Sequence, residues 1–409
     1  MQAVVETHKH KEQKPNRIFH HLKGKRPGSI VVFFAGIHGN EFAGVDALNK
    51  VLNRVDENDL FGEIYAVYGN IKALKKNKRF IELDLNRMWT TDKLQILENK
   101  EQYSQEEQEQ IELFEFIKGL FRSNKSPIYF IDLHTTSSKS LPFITINDAI
   151  INRKFSQCFP VPIVLGIEEY LEGPLLSYLN KLGYVSLGFE AGQHVDPQAI
   201  KSCVAFISLA LKHTGHLRND ELGGHGEFEQ VLKDASFSAS SIYEVIYKYH
   251  IKPKEIFVMK PGYESFQTIE KGAFLATSNG ERIYSEHNAK LFMPLYQNSG
   301  NDGFFIIRKI PHIFLELSSF LRKIKADTIL TLLPGISWYD KRMGVLKADL
   351  TITRLMAKSI FHLFGYRNKQ LDQRHLLLYN RERVSKKEMY KKENWYKKTA
   401  TVWLRSVLF

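Results

Sequence analysis

Between Ser29 and about Thr214, short apolar runs alternate with longer stretches in which apolar residues recur every three or four positions. This is the pattern of layered α/β structure. SIVVFFAG reads as a buried strand, and Glu41 to Leu52 follows as a helix with Phe42, Val45, Leu48 and Leu52 on one face. EIYAVYGN predicts the next strand, Lys72 to Lys78 a basic loop, and Glu106 to Phe121 a polar, glutamate-rich helix. PIYFIDLH, LPFITIND and GYVSLGFEAG predict three more strands, and Pro197 to Leu211 a closing helix. Residues of chemical interest fall at strand ends and in the loops after them, where open α/β sheets bind ligands.

The pattern changes near Asn219 to Glu227, a polar, glycine-rich stretch that reads as a boundary. From Ile242 to Ile307, short apolar segments are separated by turn signals such as Lys260-Pro261-Gly262 and Asn301-Asp302-Gly303, which predicts a compact β domain. Beyond Pro311 the chain shows a helical pattern near Leu315 to Ile324, a helix candidate at Asp349 to Phe364, and a basic, aromatic tail. The expected division is a polar leader over 1–28, a catalytic domain over 29–218, a β domain over 225–310 and a helical, basic extension over 311–409.

Composition narrows the class. With 409 residues, 43% of them hydrophobic, the chain can build a substantial core, which excludes a disordered or fibrous protein. The two cysteines, Cys158 and Cys203, cannot form a disulfide framework or a clustered thiolate site, which fits a reducing, cytoplasmic setting. No apolar run reaches the roughly eighteen residues that a membrane span needs. The net charge is +12, much of it between Arg381 and Lys398. Tyr379, Tyr390, Trp395 and Tyr396 interleave with those cations as in a nucleic-acid or anionic-surface binder, but Glu382, Glu388 and Glu393 interrupt them, and a solvated helical face is the favoured reading.

The sharpest chemical signal is Gly36-Ile37-His38-Gly39-Asn40-Glu41, placed after a strand and opening a helix. An imidazole and a carboxylate three residues apart can converge on one cation, with Gly36 and Gly39 allowing a tight turn. Alone, the hexapeptide is equally well read as a plain glycine turn. A catalytic zinc typically takes three protein ligands. His134, closing the strand PIYFIDLH, is the candidate third, and alternation puts Asp132 on the same side, where it can orient a ligand imidazole. His8, His10, His20, His21, His213 and His216 read as ordinary.

GIHGNE, RFIELDLNR, DLHTTSS and FEAGQ, in this order between about Ser29 and Gln193, resemble the motifs of the succinylglutamate desuccinylase/aspartoacylase family, relatives of the zinc carboxypeptidases. KPGYESFQ, EKGAFLAT and LFMPLYQNSGNDGFFIIR continue the resemblance into the β domain. It implies a three-layer mixed sheet of zinc-carboxypeptidase type with a smaller C-terminal β domain. It also implies one Zn2+ per chain on His38, Glu41 and His134, acidifying its water towards a pKa of about 7. By the same resemblance Glu190 is the proton-transferring base and acid, and Arg79 stabilises the oxyanion. Asn86 and Arg87 grip the substrate carboxylate, and Tyr296 faces the substrate. The implied activity is hydrolysis of the amide bond of a small N-acyl amino acid of succinyl or acetyl type.

Each residue also has a structural alternative: a helix cap for Glu190, an ion pair with Asp84 for Arg87, a solvated loop for Arg79. Asn180 and Leu176 stand where aspartoacylase has a second carboxylate-binding arginine and a tyrosine, and the nearby Lys181 is not equivalent, which argues against N-acetylaspartate. A carboxypeptidase or amidase acting on peptides or cell-wall fragments is the second reading, favoured by an open groove rather than a closed pocket.

Overall fold

The computed structural model describes residues 16–397, apart from 124, 219–223, 354–357, 371 and 373. The first fifteen residues of the expected leader, the centre of the expected boundary and the end of the basic tail lie outside it.

Its backbone is one long mixed sheet. The apolar runs become β2 (Arg26–Ala35), β3 (Phe61–Tyr68), β4 (Ile128–Thr136) and β7 (Val185–Gln193), which lie side by side and parallel in the order β3-β2-β4-β7. A strand apolar on both faces needs cover on both faces. Val31, Phe33 and Ala35 pack into the core shared with helices Ala43–Leu52 and Pro197–His213. Ile30, Val32 and Phe34 pack on the opposite side against helices Gln105–Ser123 and Leu175–Lys181.

The sheet extends in both directions. β1 (Ile18–Lys23) lies antiparallel beside β3 at one edge, so the expected leader contributes a strand. Its half-buried, histidine-rich pattern suits an edge position and hides it from an apolar search; Phe19 stacks on Tyr68 with ring centroids 4.2 Å apart. On the other side β5 (Phe143–Ile146) runs antiparallel to β7 and parallel to β6 (Ile163–Leu165). β6 then pairs in parallel with β8 (Ile242–His250), so the sheet crosses the expected boundary without a break.

Within 225–310, β9 (Phe257–Met259), β11 (Phe274–Ser278) and β12 (Glu281–Tyr284) form a small separate sheet. β10 (Thr268–Ile269), β13 (Ala289–Phe292) and β14 (Asp302–Lys309) instead join β8 in the order β8-β14-β13-β10.

Three local expectations change. Lys72 to Lys78 is largely a helix, Ile71–Lys76, because the Asn70 side chain accepts the Ala73 amide at 3.0 Å and caps it. Phe42 precedes its helix, 39% exposed, while Ala43, Ala47 and Val51 complete the buried face. The extension is also not purely helical: β15 (Ile336–Asp340), β16 (Val345–Asp349), β17 (Tyr366–Gln370) and β18 (His375–Asn380) make a four-stranded antiparallel sheet. Only five or six residues each, with Leu346 and Ala348 flanking a lysine and Leu378 within an unbroken leucine run, these strands give too short a period-two signal to read.

Candidate active site

The C-terminal ends of β2, β4 and β7 meet at one edge of the sheet. His134 and Glu190 are register partners on β4 and β7. His38 follows β2 after Gly36, whose φ of +68° is glycine's region. Gly39 passes so close to the helix Ile71–Lys76 that a Cβ would lie 2.1 Å from the Ala73 carbonyl carbon, so only glycine brings Glu41 into position.

His38, Glu41 and His134 are all buried, and their ligand atoms lie within 4.8 Å of one another. Both imidazoles present Nδ1 to the same carboxylate: His38 at 2.8 Å from Glu41 Oε1, His134 at 3.0 Å from Oε2. Both direct Nε2 at an aspartate, His38 at 3.2 Å from Asp84 Oδ1 and His134 at 2.7 Å from Asp132 Oδ2. A carboxylate behind each imidazole is how metal-binding histidines are usually oriented. The donor set and its convergence therefore fit a divalent metal ion. Burial raises the Glu41 carboxyl, but His38 and His134 outweigh it and hold it well below the usual range. Asp84 behaves likewise, burial being outweighed by His38 and Arg79.

Glu190 lies beside this cluster, 8% exposed, and its Oε2 has no hydrogen-bond partner among the described residues. Burial pushes its carboxyl up to about 8; Glu41 and Asp132 add to the rise and His134 and Arg79 oppose it. A carboxyl buried without a partner is costly, and a raised pKa is what a proton carrier needs. The helix-cap alternative for Glu190 fails, since Asp196 caps the following helix through the Gln198 amide.

Arg79 donates to Asp84 Oδ2 at 3.0 Å, and its Nη1 stands 3.9 Å from Glu41 Oε1. Arg87 pairs with Asp302 at the start of β14, at 2.8 Å, rather than with Asp84; Lys248 shares Asp302 at 3.1 Å. Asn86 accepts the Leu175 amide at 3.0 Å through its side-chain oxygen. All three line a cavity of about 130 Å³ together with His38, Glu41, His134 and Glu190. Met293, Leu295, Gln297, Asp302 and Phe305 close it from the second half of the chain. Tyr296 is not brought there. Its hydroxyl donates to the Lys260 carbonyl at 2.7 Å and accepts the Tyr263 amide at 3.0 Å, which ties it to the turn at 260–263.

Residues 27–209 match the family model described as the succinylglutamate desuccinylase/aspartoacylase catalytic domain. This segment is similar to the catalytic domain of that family. A stretch of 64 residues is 36% identical to a succinylglutamate desuccinylase of Ectopseudomonas mendocina, covering 15% of this chain and 19% of that protein. A stretch of 170 residues is 32% identical to a Nostoc protein described as a probable aspartoacylase, covering 38% and 53%. The matched regions thus span from about a fifth to about half of these curated relatives.

The fold is that of a Rhodobacter sphaeroides succinylglutamate desuccinylase/aspartoacylase, with TM-score 0.53 and 15% identity over 71% of this chain and 88% of that one. A Vibrio parahaemolyticus succinylglutamate desuccinylase is similar, with TM-score 0.51 and 12% identity over 71% and 86%.

Several residues of this cavity carry no legible role in the sequence. Asp84 was visible only as a partner for Arg87, yet it orients His38. His194, whose Nδ1 lies 2.7 Å from Thr135 Oγ1, and Asp302 carried no local signal. Asn180 is buried in a network, donating to Ser186 Oγ and the Leu176 carbonyl and accepting from Asn152. It therefore supports β7 and is not free to hold a ligand.

Proposed function

We propose that the chain is a zinc-dependent amidohydrolase that cleaves the amide bond of a small N-acyl amino acid, on a layered sheet of zinc-carboxypeptidase type. The observation that carries the reading is the buried His38–Glu41–His134 cluster with the unpartnered Glu190 carboxyl beside it. His38, Glu41 and His134 would hold the zinc, with Asp84 and Asp132 fixing the two imidazoles. Zinc bound there supplies a Lewis acid that acidifies water and polarises the amide carbonyl.

Glu190 takes the proton from the attacking water and returns it to the leaving amine, which needs a carboxyl that exchanges protons near neutrality. Arg79 offers its guanidinium to the negative charge that grows on the carbonyl oxygen. Arg87, beside Asn86, receives the substrate carboxylate, which must draw the guanidinium away from Asp302. Leu176 and the buried Asn180 leave no second carboxylate grip at that wall, in keeping with a substrate other than N-acetylaspartate.

A cavity of about 130 Å³ closed by residues 293–305 favours a small substrate over a peptide or cell-wall strand. The test is metal analysis of wild type and His134→Ala with an amine-release screen over N-acyl amino acids. The expected result is one zinc per chain, lost in His134→Ala, with turnover of one substrate class reduced roughly 10²–10⁴-fold in Glu190→Gln. Bound zinc with cleavage only of peptides would replace this reading by the peptidase, and freshly purified metal-free protein would end both.

A further inference from the structure

A second cavity, of about 890 Å³ and sharing no lining residue with the first, lies between helix Ile150–Ser156, helix His312–Lys323 and the segment 380–396. Seven lysine and arginine side chains line it against three carboxylates. Those carboxylates are engaged. Glu316 faces His312 at 3.3 Å, Glu382 takes Arg322 at 3.3 Å and the Ile150 amide at 2.8 Å, and Asp327 accepts through Oδ2 from Arg383 and the Tyr366 hydroxyl, both at 2.9 Å, while its Oδ1 has no hydrogen-bond partner among the described residues.

Two cations stand out. Arg153 is 7% exposed and spends its Nε on Asp148, yet its Nη1 has no hydrogen-bond partner among the described residues. Native proteins rarely leave a buried guanidinium N–H unmet, because its desolvation is uncompensated. Lys154, the next residue, rests its ammonium 4.3 Å from the centre of the Tyr396 ring and has no carboxylate within ion-pair distance among the described residues. Burial, and then the charge of Lys323 on the facing helix, lower its pKa. Like charges held across a cleft, with a buried N–H donor beside them, suit an anion.

We propose that this cleft binds a small phosphorylated molecule, its phosphate held by Arg153 Nη1 and the Lys154 ammonium and its organic part lying along Ile150, Leu315 and Tyr396. The guanidinium and ammonium match a phosphate's charge and acceptor geometry, and the volume exceeds what a free ion fills. The cleft is built from the catalytic domain and the C-terminal extension together, so it depends on residues beyond the matched family segment.

The experiment is titration calorimetry of the full-length protein at low ionic strength with inorganic phosphate and, separately, with a hexose phosphate. It uses wild type, Arg153→Lys, Lys154→Ala and Arg87→Ala. Expected is saturable one-to-one binding, weakened at least tenfold in Lys154→Ala and Arg153→Lys and unchanged in Arg87→Ala. Lys154 is only half-buried, so its variant remains a valid test if Arg153→Lys misfolds. Tighter binding of the hexose phosphate supports the whole proposal. Equal affinity for the two reduces the ligand to free phosphate and overturns the organic part. Absence of saturation, or loss in Arg87→Ala with retention in Lys154→Ala, overturns the site.

Discussion

The histidines of this chain sort by what faces their two nitrogens. His38 and His134 each have a carboxylate at both, the setting of a metal ligand. His216, which reads in the sequence as an ordinary residue near a helix end, is completely buried, with Nε2 at 3.1 Å from the Glu63 carbonyl and Nδ1 at 2.7 Å from Thr214 Oγ1. Burial lowers it to about 4, against the opposing effect of its backbone contacts. An unfolded histidine titrates near 6.5. Between about pH 6.5 and 4 the unfolded chain therefore holds a proton that the folded chain lacks, and stability falls as pH drops through that window. The loss approaches about 3 kcal/mol at its acid end, taking roughly 1.4 kcal/mol per unit. Urea unfolding of wild type and His216→Gln at several pH values isolates the effect; equal slopes in the two proteins would refute it. Such a residue is illegible in sequence because its neutrality comes from burial under chain segments far away in sequence, whereas His134 is legible because it closes an apolar strand.

At the scale of elements, β2, β4 and β7 are legible because continuous apolar runs admit few alternatives, and the residues proposed for metal binding and catalysis sit at their ends. The loop 79–87 was readable only as a motif, because what shapes it comes from another element. Glu106, on a helix whose sequence reads as polar, is completely buried. Its Oε1 accepts the Ile81 amide at 2.7 Å and Asn70 Nδ2 at 3.0 Å, and its Oε2 accepts the Glu82 and Leu83 amides at 3.0 and 3.1 Å. Glu109, also buried, receives the Ile71 and Lys72 amides, and Gln110 donates to the Met88 carbonyl at 2.9 Å. The polar residues at spacing three and four on this helix are thus an inward face built to hold backbone, which binary patterning assigns to solvent. Glu106→Ala leaves three amides unmet and is expected to cost roughly 2–3 kcal/mol. Because the loop carries Arg79, Asn86 and Arg87, KM should rise more than kcat falls. A melting curve and steady-state kinetics on the same sample check both, and unchanged KM in a destabilised variant would confine Glu106 to folding.

The whole molecule depends on how the C-terminal extension grips the first domain, and there the sequence shows two helical patterns, one of them the helix His312–Lys323, and a basic, aromatic tail, but no sign of the grip. Two of its aromatics are core residues. The Tyr390 hydroxyl donates to the Ile128 carbonyl and accepts the Val185 amide at 3.1 Å, and Trp395 Nε1 donates to the Tyr129 hydroxyl at 2.9 Å. Those rings close the starting ends of β4 and β7, opposite the catalytic cavity, and are not available to stack on bases. The second grip is ionic. Asp148, 1% exposed, pairs with Arg153 of its own domain and with Arg322 and Arg367 of the extension at 2.8 and 2.7 Å. Burial acts to raise its carboxyl, but the three guanidinium groups hold it well below the usual range. Removing one member of a buried ion cluster leaves the others uncompensated. Asp148→Asn, nearly the same shape without the charge, should therefore lose about 3–5 kcal/mol and melt earlier. Asn147, its neighbour in the chain, lines the catalytic cavity, so turnover should fall as well. Limited proteolysis separates a docking role from general destabilisation: early cleavage between residues 309 and 326 with the catalytic domain left intact is expected. Cooperative loss of the whole chain would mean that the extension is not held as a separable unit.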